Sequence, residues 1–116
     1  MDQGFWNFGN VKVLMDRVKI TVVKRLNFNE IHADSNTECT PNMDPVCNRF
    51  NEGDVFITDL KALPEGFCPA AFADIFRYVT GLRSGLDYSW VKEKGKVLVC
   101  CTDGFRPVVF RLERIK

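Results

Sequence analysis

Five cysteines, Cys39, Cys47, Cys68, Cys100 and Cys101, are the residues of this chain best suited to chemistry. Two of them stand in informative contexts. Cys68 precedes Pro69 at the start of a helix-patterned segment. There, unsatisfied N–H groups and the helix dipole favour negative charge, and thiols so placed are stronger nucleophiles and metal ligands than free cysteine. Cys101 ends a strand and comes close in sequence to Arg106, whose guanidinium would also favour a thiolate. If the helix start lies over that end of the hairpin, Cys68, Cys101, Asp103 and Arg106 converge on one candidate site.

Two chemistries fit such a site. In the first, Cys68, Cys101 and Cys47 bind a soft transition metal or an iron–sulfur cluster, since thiolates suit such ions. In the second, Cys68 acts as a thiolate on a small metabolite while Arg106 holds an anionic group. Beside both stands the plain alternative of a non-catalytic oligomeric module, because free cysteine commonly packs as a small hydrophobe. Other residues have ordinary readings. His32 is a lone histidine in a polar loop and Asp103 a turn residue. Asp74 and Arg77 are spaced as a surface helix pair, and Trp90 fills a core.

The elements that must position these residues follow from the hydrophobic pattern. Val18 to Lys24 alternates with the period of a half-buried strand. Asn27 to Asn48 is a polar loop with one helical turn near Phe28–Ala33. Glu52-Gly53-Asp54 is a turn before a short strand at Val55–Ile57. The main helix starts at Cys68 and runs to about Arg83. Pro69 suits its first position, its buried stripe is Phe72, Ile75, Phe76, Val79 and Leu82, and Gly85 terminates it. Val97–Thr102 and Pro107–Arg114 are partner strands. This predicts an α+β fold, an antiparallel sheet of about four strands with one main helix on one face.

Asp103-Gly104 is the strongest hairpin signal in the chain. A two-residue type I′ turn there sets Cys101 opposite Arg106, Val99 opposite Val108 and Val97 opposite Phe110. One face then carries Val97, Val99, Cys101, Arg106, Val108, Phe110 and Leu112. The other carries Leu98, Cys100, Phe105, Pro107, Val109 and Arg111, which is more apolar than a solvated face should be. Cover by a second subunit or by the N-terminal segment is expected. Cys100 and Cys101 point to opposite sides.

The chain of 116 residues suits one domain, read here as residues 15–116 preceded by an N-terminal extension, residues 1–14. Met15 stands directly before the first well-patterned strand and is a candidate native start. A short strand at Val11–Leu14 with an aromatic anchor is the alternative. Sixteen Lys and Arg against fifteen Asp and Glu leave a net charge of +1, which offers no general attraction for nucleic acid or an anionic membrane. No apolar run is long enough to span a bilayer, and residues 1–10 lack a signal-peptide pattern. The expectation is a cytoplasmic protein with reduced cysteines, self-associating because so small a chain buries a modest share of its surface. Phosphate loops, dinucleotide fingerprints and Cys-x-x-Cys pairs are all missing from the sequence.

Pro64-Glu65-Gly66-Phe67-Cys68-Pro69, Ala73-Asp74-Ile75, and Cys100-Cys101-Thr102-Asp103-Gly104 with Arg106-Pro107-Val108 and Glu113-Arg114-Ile115 resemble a family of small prokaryotic proteins of unknown function, frequent in anaerobic bacteria and archaea. The likeness runs from about Val18 to Ile115, and the double-cysteine hairpin is its most specific element. It implies this fold, an anaerobic setting and a start near Met15. Cys47 matches loosely a cysteine the family carries before the Gly53 turn. Ala70 and Ala71 depart from it, standing where aromatics are common.

Overall fold

A computed structural model describes residues 16–116 in full and the backbone of two short strands before them. Those strands, β1 (Phe5–Phe8) and β2 (Val11–Leu14), pair antiparallel as a separate ribbon. A strand at Val11–Leu14 therefore forms; the aromatic anchor and the Met15 start lie outside the described residues.

The domain is built from β3 (Arg17–Arg25), α1 (Phe28–Ile31), β4 (Val55–Thr58), α2 (Pro69–Arg83), β5 (Lys96–Cys100) and β6 (Val108–Ile115). The four strands form one antiparallel sheet in the order β4-β3-β6-β5, with α2 on one face. This is the expected α+β architecture. Val18, Ile20 and Val22 of β3, Val97 of β5, and Val108, Phe110 and Leu112 of β6 point inward and are buried. Val23 is the extra residue of a bulge between Val22 and Lys24, which returns Arg25 to the inner face opposite Val108. From α2 the buried stripe is Ala71, Ile75, Val79 and Leu82. It lies rotated from the expected one: Phe76 is 45% exposed, and Arg83, expected off the stripe, is buried. Phe50 and Phe67, from the connections, close the core against Phe110, with ring centroids 5.2 and 5.4 Å from it.

The hairpin differs from expectation in an instructive way. Val97 pairs with Leu112 and Val99 with Phe110, two residues beyond the predicted register, and Cys101 N–H donates to Val108 O at 3.1 Å. Asp103-Gly104 is thus not a two-residue turn but part of a longer loop, residues 102–107. Pro107 has no N–H to give a tighter ladder. Asp103 Oδ1 instead accepts from the N–H groups of Phe105 (2.8 Å) and Arg106 (3.3 Å), folding the loop on its own side chain. A shift of two preserves side-chain parity, so every inward residue predicted on β5 and β6 still points inward.

Candidate functional site

Three segments far apart in sequence meet at the N-terminus of α2. Cys68 is its N-cap, with extended backbone (φ −67°, ψ 120°), and Pro69 takes the first helical position. The helical ladder opens with Phe72 N–H to Cys68 O at 3.0 Å. No side chain caps this end, so the N–H groups of Ala70 and Ala71 lack an intrahelical acceptor. The second segment is the 102–107 loop, tied to the helix by Thr102 N–H donating to Asp74 Oδ2 at 2.8 Å. The third is Cys47–Phe50, the end of the long polar connection. α1 anchors that connection: His32 Nε2 donates to Gly104 O at 2.8 Å, and Phe28 lies between the His32 and Phe105 rings at 4.8 and 6.0 Å.

Between these segments lies a cleft of about 440 Å³, lined among others by Cys47, Arg49, Cys68, Asp74, Cys101, Asp103 and Arg106. The helix start and the hairpin end therefore do meet. Cys47, Cys68 and Cys101 are each half-buried and packed against the core. Cys100 points to the other side of the sheet, as its parity requires, and is exposed. Even so, burial around its sulfur, then Cys101 and Asp74 as neighbouring negative groups, push its thiol above the ordinary range.

The metal expectation fails. Among the described residues no group of three or more His, Cys, Asp or Glu is placed to hold a metal ion. Thiolate centres need their donors converging to about 2.3 Å from one point. Here the sulfurs are turned to local backbone instead: Cys101 Sγ accepts from Val108 N–H at 3.3 Å and Cys47 Sγ from Arg49 N–H at 3.4 Å. Neither a soft transition metal nor an iron–sulfur cluster on Cys47, Cys68 and Cys101 fits this arrangement.

The charged groups of the cleft are unequally satisfied. Asp103 is taken up by loop N–H groups and by Arg106 Nε at 3.8 Å, and Asp74 by Thr102. Arg106 is less well served. Its Nη1 reaches the carbonyls of Asp44 and Val46 only at 3.4 and 3.5 Å, and its buried Nε has no hydrogen-bond partner. Arg49 is exposed and makes no ion pair among the described residues. Sequence reading missed Arg49, since its place two residues after Cys47 matters only once the connection is seen to return to the helix. It also misread Asp74, which ties helix to loop, while Arg77 turns to the Tyr78 hydroxyl at 2.9 Å.

No helix among the described residues is long and apolar enough to cross a membrane. The chain matches no protein-family model, no curated protein and no solved structure.

Proposed function

We propose that the cleft at the start of α2 binds a small organic anion, a carboxylate or phosphate ester, with the thiols of Cys68 and Cys101 against its body. The observation that carries this reading is the meeting of two incompletely satisfied guanidiniums, Arg49 and Arg106, with an uncapped helix N-terminus around one cavity. Free N–H groups and the positive end of the helix dipole favour an anion there, and the planar guanidinium matches carboxylate and phosphate oxygens. Asp74 and Asp103 keep their charge and offset part of this field, but each is turned to a loop N–H, Thr102 for Asp74 and Phe105 for Asp103. The resemblance to the family of small anaerobe proteins belongs to the same proposal: its two cysteine-bearing motifs supply Cys68, Cys101, Asp103 and Arg106, all of which line the cleft.

The test compares alkylation of Cys68 by iodoacetate and by uncharged iodoacetamide, read by peptide mass spectrometry with exposed Cys39 as internal reference. An anion-binding cleft concentrates iodoacetate, so the rate ratio at Cys68 is expected to exceed that at Cys39 by about tenfold, the scale of a local positive field. Arg49→Ala and Arg106→Gln are each expected to reduce the excess, and added inorganic phosphate to protect Cys68. Equal ratios at the two cysteines would mean that the thiols serve only as packing.

A further inference from the structure

A second cavity lies on the opposite face of the sheet. Trp90, expected to fill a core, is instead 70% exposed, and Leu98 on β5 is 61% exposed. With Val23, the bulge residue of β3, they wall a cleft of about 730 Å³ whose charged lining is Lys92, Lys96, Arg111 and Glu93. At this end of the face the side chains of Val23 and Leu98 are left exposed among the described residues.

The charge around the cleft selects among occupants. On the same face Arg111 Nε meets Glu113 Oε1 at 2.9 Å, and Lys96 Nζ meets Glu113 Oε2 at 3.7 Å. One carboxylate thus serves two cations, and Lys19 stands opposite Glu113 in the neighbouring strand. Lys19, Lys92, Lys96 and Arg111 outnumber Glu93 and Glu113 by two charges. A two-fold pairing of this face with a second copy sets like patches against each other and brings positive charge onto positive charge. An anion with a flat apolar body has no such conflict. Its ring would lie on the indole and on the Leu98 and Val23 side chains, and its charge would meet the positive charge in excess of Glu93 and Glu113.

We propose that this cleft is a second ligand site, separate from the one at α2, and that it takes an amphipathic aromatic anion: a planar apolar group bearing a carboxylate, sulfonate or phosphate. The cavity is of the size that holds such molecules, about 300–1,000 Å³. An indole at the rim stacks on a planar ligand in an offset or tilted geometry, and Lys96 and Arg111 hold the charged end.

Anilinonaphthalene sulfonate is a suitable probe, with N-phenylnaphthylamine as its uncharged analogue. In a Trp6→Phe background Trp90 is the sole indole, so quenching of its emission with sensitised probe fluorescence places the probe. The expected result is saturable binding of one probe per chain, quenching Trp90. Trp90→Ala is expected to weaken the affinity about tenfold, the scale of an aromatic contact with its buried area. Lys96→Gln and Arg111→Gln each weaken it severalfold and leave the uncharged analogue unaffected. Lys96 and Arg111 project from the outer side of the sheet and Trp90 is 70% exposed in the connection before β5, so the fold is expected to survive, and circular dichroism checks it. Binding that ignores Trp90→Ala, or equal affinity for the charged and uncharged probes, overturns the proposal. So does a dimer seen by sedimentation that dissociates in Trp90→Ala, which would assign the face to a second copy.

Discussion

Asp74 faces two surfaces, because its side chain borders the cleft of Cys68 and Cys101 and also a smaller cavity of about 240 Å³ that contains Cys100. Its negative charge is one of three causes that hold the Cys100 thiol high, after burial and after Cys101. Asp74→Asn retains an oxygen to accept from Thr102 N–H and removes only the charge. The pH–rate profile for alkylation of Cys100 is therefore expected to move toward lower pH, by about half a unit or less because burial, the leading cause, is unchanged. A profile that stays in place, or moves up, would show that Asp74 does not act on Cys100 through its charge. The same variant checks the loop tie, since melting should change by well under about 1 kcal/mol if the amide oxygen takes over the bond.

At the level of elements, the end of α2 is closed by β6. Arg114 Nη1 donates to the carbonyls of Leu82 (3.1 Å) and Leu86 (3.0 Å), and its Nη2 pairs with Asp87 Oδ1 at 2.7 Å. A guanidinium thus satisfies carbonyls that the helix leaves open and complements its negative end. Gly95, at φ +73°, lets the chain pass this clamp: a Cβ there would lie 3.2 Å from Arg114 Nη2. The Arg114 hydrogen bond, with smaller help from Gly95 N–H, holds the Asp87 carboxyl below the usual carboxylate range. Its contribution to stability is therefore fully present above the unfolded value, about pH 3.9, and is lost as pH falls through the folded value. The melting temperature of Asp87→Asn is expected to lie below wild type at neutral pH and to converge with it as pH falls through the folded value. A gap that stays constant with pH would mean that the ion pair is not the source. Element positions and inward parity were legible in the sequence, because alternation and helical spacing depend on side chains alone. The hairpin register was not, because Pro107 and the Asp103 side chain reshape a turn that Asp-Gly would otherwise close in two residues. The rotated helix stripe escaped for a related reason. With Phe50 and Phe67 already filling the space beside Phe110, small Ala71 fits the sheet where Phe76 does not.

The cleft belongs to the molecule as a whole, because no single element holds its walls together. Cys47–Arg49, Cys68 and Cys101–Arg106 are joined by a few ties, Thr102 to Asp74 and Arg106 to the carbonyls of Asp44 and Val46, and by the core beneath them, which is aromatic at this end. Phe50 is 2% exposed and borders the cleft, while its ring packs edge-on against Phe56, Phe67 and Phe110 at 5.9, 5.0 and 5.2 Å. For that reason the gathering of the thiols was only half visible in the sequence. The helix start and hairpin end were each marked, but nothing local says that residues 47–50 come back to join them. Substitutions at the adjacent residues Arg49 and Phe50 should therefore behave differently. Phe50→Ala removes a buried ring and leaves a cavity, at a cost of about 3–5 kcal/mol, a large share of the roughly 5–15 kcal/mol that holds a domain of this size. Arg49→Ala, on the exposed rim beside it, is expected to change stability by no more than about 0.5 kcal/mol. Urea unfolding measures both. In Phe50→Ala the midpoint should fall with the slope unchanged, and the iodoacetate preference at Cys68 should fall with it because the wall is loosened. In Arg49→Ala the midpoint should hold while that preference alone declines. If Phe50→Ala unfolds at the wild-type midpoint, the aromatic cluster is not what holds the three segments together.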